Sequence, residues 1–138
     1  MEYLSKSTAE TYNIGKEIAQ IAKGGNVVAL FGGMGAGKTC LTTGIAKALG
    51  YDGEVSSPTF AVVNEYIGGD LPIAHFDMYR VNDWDDLYST GFFDYMDQGY
   101  LLIVEWSENI ESALDENAIK VRLEYIDDST RKITIEKG

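Results

Sequence analysis

Gly32, Gly37, Lys38 and Thr39 stand in the spacing G-x-x-x-x-G-K-[ST], and each residue type has a use in holding a polyphosphate. Successive backbone N–H groups of a glycine-rich loop close around phosphate oxygens. The lysine brings a cation to the β and γ phosphates, and the threonine hydroxyl offers one ligand to Mg²⁺. Gly33, Met34, Gly35 and Ala36 complete the loop and Cys40 follows it, so the candidate nucleotide contacts run from Gly33 to Cys40. Four glycines within six positions suit neither a helix interior nor a strand, because glycine is chosen where a side chain would block a close approach or where φ is positive. Lys38 reads as a solvent-facing loop cation, not a core residue.

A short pattern of this kind needs the right flanking elements. Val27-Val28-Ala29-Leu30-Phe31 is a continuous apolar run, as a buried parallel strand requires, and residues 38–49 read as a helix stopped by Gly50. Strand, loop and helix in that order place the positive end of a helix dipole at the phosphates. Upstream, Ser7-x-x-Glu10 reads as a capping box opening a helix to about Lys23, with Ile14, Ile18, Ile21 and Ala22 on one stripe. Downstream, Phe60 to Ile67 and Ile73 to Tyr79 read as strands of a hairpin turned by "GGDLP". "NDWDDLYSTG" reads as a short helix capped by Asn82 or Asp83 and ended at Gly91. Tyr100 to Glu105 reads as a second buried strand, and Ile119 to Tyr125 with Lys132 to Glu136 as a closing antiparallel pair. The expected fold is an α/β, P-loop NTPase-like mixed sheet flanked by helices, in one domain over residues 1–138.

A phosphate loop needs an acidic partner at the end of a neighbouring strand, since the metal requires a second anchor. Glu105 ends "LLIVE" and fits; the alternative is a strand simply emerging into solvent. Asp77 in "HFDMYR" either orients the attacking water, holds the metal's water shell or, as a hairpin-end residue, pairs with Arg80. Thr59 in "SSPTF" either closes over the γ phosphate as a switch segment does or belongs to an ordinary turn. His75 reads as a packed or hydrogen-bonded strand residue, not a ligand, and the tyrosines with Trp84 and Trp106 as packing residues.

Composition narrows the classes. With 45% apolar residues in 138, the chain can bury one core. It has no apolar run of membrane-spanning length, its start is not a signal peptide, and the lone Cys40 forms no internal disulfide. A cytoplasmic location is expected. A net charge of −11 with three arginines argues against independent nucleic-acid binding and against a small-molecule kinase, which surrounds its transferred phosphate with arginines. A GTPase is excluded by the absence of N-K-x-D and D-x-x-G. Asp77, Asp83, Asp85, Asp86, Asp94 and Asp97 crowd one segment, either as a solvated face or as a dock for a basic partner. Two readings survive: a nucleotide hydrolase, and a non-enzymatic adaptor that holds nucleotide to fix the shape of a binding surface.

The motifs together resemble one family. Ser7, Thr11 and Gly15 in "SxxxT" with glycine four residues on, "GxxGAGKT", the "LG" closing the loop helix, "VSSPTF", "HFDMYR" and "VEWSE" occur in the order and spacing of the TsaE (formerly YjeE) family, over residues 7 to about 110. The resemblance implies a Mg²⁺-dependent ATPase in the biosynthesis of tRNA threonylcarbamoyladenosine, binding the TsaB–TsaD pair and resetting it between rounds of transfer to adenosine 37, without transferring the group itself. It implies that tRNA is met only through the complex. It puts Thr11 near the adenine, associates Thr39 and Glu105 with Mg²⁺, and ties Thr59 and Asp77 to activity, with Trp106 following the glutamate as in the family motif. Gly33 departs from the family, which often has Asp there, so a role for that side chain is in doubt.

Overall fold

The computed structural model describes residues 1–33, 37–56 and 63–137. Its elements are β1 (Glu2–Ser5), α1 (Thr8–Ile21), β2 (Val27–Phe31), α2 (Lys38–Ala48), β3 (Val63–Tyr66), β4 (Ile73–Asp77), α3 (Trp84–Ser89), α4 (Phe92–Asp97), β5 (Leu101–Glu105), a 3₁₀ segment Ser107–Ala113, β6 (Ile119–Tyr125) and β7 (Arg131–Lys137). The strands form one seven-stranded sheet in the order β1-β7-β6-β2-β5-β4-β3. β6, β2, β5 and β4 run parallel at its centre, while β1, β7 and β3 are antiparallel additions. The expected mixed α/β sheet is the one observed.

The apolar runs follow from what covers the sheet. Val28 and Leu30 of β2 join a core with α1 and α2, while Val27, Ala29 and Phe31 join a second core with residues of α3, α4 and the 3₁₀ segment. Leu101 and Ile103 of β5 face the first core, Leu102 and Val104 the second. Strands buried on both faces lose the polar alternation of a half-exposed strand. The same parity carries functional groups. Ile73 of β4 lies on the α1/α2 face, so His75 and Asp77 are on that face too, and Glu105 follows Leu101 and Ile103 there.

Ser7 caps α1, its hydroxyl accepting from the Glu10 N–H at 3.1 Å. The Glu10 carboxylate reaches back to the Lys6 N–H at 2.6 Å, one residue further than a capping box requires. Ile14, Ile18 and Ala22 are buried and Ile21 packs at the margin of the core. The helix ends at Ile21, slightly short of the expected Lys23. Gly15 explains its place in the motif: a Cβ there would lie 2.8 Å from the Leu41 carbonyl oxygen and 2.9 Å from the Ile45 nitrogen, and one on Gly44 would lie 2.6 Å from the Tyr12 carbonyl oxygen. The two helices touch backbone to backbone.

Several details depart from expectation. β1 was not foreseen: it is a short edge strand paired to β7 whose one buried residue is Ser5, so it carries no apolar pattern. β4 stops at Asp77, two residues before Tyr79, because the Asp77 carboxylate takes the Tyr79 N–H at 2.9 Å and turns the chain. Ile67 lies outside β3 and is exposed, and residues 60–62 of the expected strand lie outside the described residues. Gly91 ends α3 and, at φ 86°, also begins the unforeseen α4. Asp83, not Asn82, caps α3: its Oδ1 accepts from Asp86 N–H at 2.8 Å, and Asp86 Oδ2 accepts from Asn82 N–H at 3.1 Å. Two members of the acidic segment are therefore capping groups.

Gly15→Ala should lower unfolding stability by about 1–3 kcal/mol, the usual cost of overpacking a close contact. Urea denaturation read by circular dichroism checks this, and wild-type stability would show that α1 and α2 can part freely.

Candidate functional site

The carboxyl ends of the parallel strands gather the groups singled out in the sequence. β2 ends at Phe31 and leads through the glycine loop into α2, whose N-terminal neighbour Gly37 sits at φ 98°. A non-glycine residue would be strained there. Gly33 has open space where a Cβ would stand, so the fold does not demand glycine at this departure from the family pattern. Met34, Gly35 and Ala36 lie outside the described residues, as does Thr59.

Lys38 corrects an expectation. It is 9% exposed, because its Nζ donates to the Gly32 carbonyl at 3.0 Å and lies 5.4 Å from the centroid of the Trp106 ring. A loop carbonyl and an aromatic face replace water around the ammonium. Trp106 is held for this contact at φ 60°, ψ 41°, the one non-glycine residue with positive φ among the described residues. That conformation costs a bulky residue roughly 1–2 kcal/mol. Its ring also meets Tyr79 edge to face at 4.9 Å, so the turn after β4 and the turn after β5 brace one another. Asn109 strengthens this bracing, donating from Nδ2 to the carbonyls of Met78 and Tyr79 at 2.9 and 3.1 Å.

Glu105 is 6% exposed and does not simply emerge into solvent. Its Oε2 lies 2.6 Å from His75 Nε2, and His75 is fully buried. On the other side of the ring, Nδ1 lies 2.8 Å from the Tyr66 hydroxyl, which is also 2.9 Å from the Ser56 carbonyl. Burial pushes the Tyr66 phenol above its ordinary pKa, so the hydroxyl keeps its proton. The reading of His75 as a hydrogen-bonded strand residue holds. Its partners were missed, because the sequence does not say that β4 and β5 are neighbours.

Asp77 pairs in register with Glu105 across the two parallel strands. It is half-buried, and its Oδ1 takes the Tyr79 N–H instead of pairing with Arg80. Thr39 is exposed at the start of α2. Among the described residues no group of three or more His, Cys, Asp or Glu comes together to hold a metal. Glu105, Asp77 and the Thr39 hydroxyl are oxygen donors only, a set that fits Mg²⁺, which binds through one or two carboxylates together with waters and substrate phosphates.

Beside the loop, a cleft of about 200 Å³ is lined by residues that include Ser5, Thr11, Gly37, Cys40, Ser129 and Arg131. Thr11, Gly37 and Cys40 are thus brought to one place. The Thr11 hydroxyl is 2.6 Å from that of Ser5, which in turn donates to the Ser7 carbonyl at 2.9 Å. Thr11 therefore donates, and the bond ties α1 to β1 at the cleft wall. Cys40 Sγ contacts the Thr8 carbonyl at 3.6 Å, and burial pushes its thiol pKa up. It serves as a packed wall residue.

Comparison with known proteins gives one answer. The family described as "Threonylcarbamoyl adenosine biosynthesis protein TsaE" matches residues 5–133. The "tRNA threonylcarbamoyladenosine biosynthesis protein TsaE" of Bacillus subtilis (strain 168) is 36% identical over 97% of this chain and 84% of its own length. The protein of the same name from Aquifex aeolicus (strain VF5) is 38% identical over 97% of this chain and 94% of its own. The crystal structure of YdiB from Bacillus subtilis superposes with a TM-score of 0.81 at 32% identity, over 99% of this chain and 84% of that one.

A polyphosphate that takes Lys38 Nζ has to draw it from Gly32 and Trp106. In the Trp84→Phe protein, where Trp106 is the remaining tryptophan, ATP should change the emission intensity, and adding Lys38→Ala should abolish the change. Unaltered emission at ATP concentrations that calorimetry shows to be saturating would contradict the Lys38–Trp106 contact.

Proposed function

The chain belongs to the TsaE family, and from that premise we propose that it is a cytoplasmic, Mg²⁺-dependent ATPase that serves tRNA threonylcarbamoyladenosine biosynthesis by resetting a TsaB–TsaD pair between rounds. The observation that carries the reading is the junction of β2, glycine loop and α2 beside a β5 that ends in a nearly buried carboxylate. No helix among the described residues is long and apolar enough to cross a membrane.

In this reading the loop amides, from Gly33 to Thr39, and the N-terminus of α2 receive the phosphates, where unpaired N–H groups and the helix dipole favour negative charge. Lys38 exchanges the Gly32 carbonyl for β and γ phosphate oxygens. Thr39 and Glu105 would hold Mg²⁺, which when bound neutralises charge developing on the phosphates. Asp77, beside Glu105 on the adjoining strand, orients the attacking water or the metal's water shell. Thr59 is included for the activity that the family motif ties to it. Thr11 and Cys40 wall the cleft where the adenosine half of the nucleotide fits. TsaB and TsaD are the partners, and tRNA is reached through them.

Glu105→Gln removes the charge while keeping shape. It should leave ATP binding in place, weaken Mg²⁺ retention and lower ATP hydrolysis by about 10²-fold. Phosphate release and multiple-turnover tRNA modification, both with TsaB and TsaD present, test this. Loss of both activities supports the ATPase reading. Normal modification with hydrolysis lost would replace it with a nucleotide-locked adaptor, and wild-type rates in both would remove Glu105 from the site.

A further inference from the structure

We propose that His75 is the positioning residue of Glu105, fixing the carboxylate so that one oxygen remains for the metal; the inference rests on the reading of Glu105 as a Mg²⁺ ligand. Several observations carry it. His75 is fully buried in the centre of β4, a place that apolar packing alone would give to an aliphatic residue. It nevertheless spends both ring nitrogens on defined partners, Nε2 on Glu105 Oε2 at 2.6 Å and Nδ1 on the Tyr66 hydroxyl at 2.8 Å.

The proton assignment follows from the partners. An ionised Glu105 can only accept, so Nε2 carries the hydrogen and donates. On the other side of the ring, Nδ1 stands 2.8 Å from the Tyr66 hydroxyl, which donates to the Ser56 carbonyl at 2.9 Å, so the imidazole is held from its far side as well. The ring is thereby held in one orientation by two elements other than its own. Oε2 is committed to His75. No buried side-chain oxygen among the described residues lacks a partner, and Oε1 makes no bond to any described group, so Oε1 is the oxygen at the carboxylate's exposed edge. A carboxylate held by one oxygen and open at the other is arranged as a one-point metal ligand. Supporting hydrogen bonds of this kind are worth about 10–100-fold in metal affinity.

Asn and Gln separate positioning from packing. The side-chain nitrogen of Gln falls near the place of Nε2 and can still donate to Glu105, whereas that of Asn falls near Nδ1 and cannot reach it. Mn²⁺ affinity, read from the free-ion EPR signal in the presence of a non-hydrolysable ATP analogue, is the measurement, with analogue affinity in EDTA as the metal-free reference. His75→Asn should bind Mn²⁺ about 10–100-fold more weakly with the metal-free affinity unchanged, and His75→Gln should restore most of the loss. Wild-type Mn²⁺ affinity in His75→Asn, or an equal loss in both variants, overturns the proposal. If His75→Asn does not fold, Tyr66→Phe carries the same test by freeing the ring: a several-fold loss of Mn²⁺ affinity supports the lock and none overturns it. Glu105→Gln measured alongside separates the two levels, since no effect there defeats the metal-ligand reading, while an effect there with none at His75 defeats this inference alone.

Discussion

A carboxylate that ends a strand buried on both faces has to be compensated, because removing an unpaired charge from water costs several kcal/mol. Glu105 is in that position, following Leu101, Leu102, Ile103 and Val104, none of which reaches solvent. The bond from His75 supplies the compensation, and much of the central sheet is the means of delivering it. β4 and β5 must be parallel neighbours in the register that sets His75 opposite Ile103 and Asp77 opposite Glu105. Tyr66 must come from β3 to hold the far side of the ring. The hairpin of β3 and β4 is thus attached to β5 through a polar chain as well as through its apolar core.

The same side of the sheet receives α2, so the glycine loop, Lys38 and Glu105 share one edge. Lys38 and Glu105 are both nearly buried and each has its own partner, a carbonyl and ring for the cation and an imidazole for the anion. Neither depends on the other for neutralisation. No direct ion pair joins the two among the described residues, so neither charge is spent on the other. The positive φ of Trp106 is local strain placed at this junction, offset by contacts to Tyr79 and Lys38 and by the Asn109 bridges.

The central strands and both long helices were legible in the sequence because their patterns are consequences of burial. β2 and β5 are apolar throughout since helices or turns cover both faces, and α1 announces itself by Ser7, Glu10 and its isoleucines. β1 was illegible for the converse reason: an exposed edge strand held by backbone bonds to β7 has no side-chain periodicity to read. α4 was hidden because Gly91 looks only like a stop, although a left-handed glycine also begins the next helix. At the site, the loop spacing and Glu105 could be read from local pattern. The His75–Glu105 bond could not, since it joins residues thirty positions apart through a strand adjacency that only the fold supplies. The exposure assumed for Lys38 failed for the same reason, as its Trp106 partner arrives from the far end of β5.

At issue is whether Glu105, held through Oε2 by His75, presents its other oxygen to a divalent ion beside Thr39. The most direct measurement is the anomalous difference density of Mn²⁺ in crystals of the protein with a non-hydrolysable ATP analogue. One peak is expected within bonding distance, about 2.0–2.3 Å, of both Thr39 Oγ1 and Glu105 Oε1, with the 2.6 Å His75–Glu105 contact intact. A peak away from Glu105, or a Glu105 side chain that has left His75 to reach the ion, would contradict it.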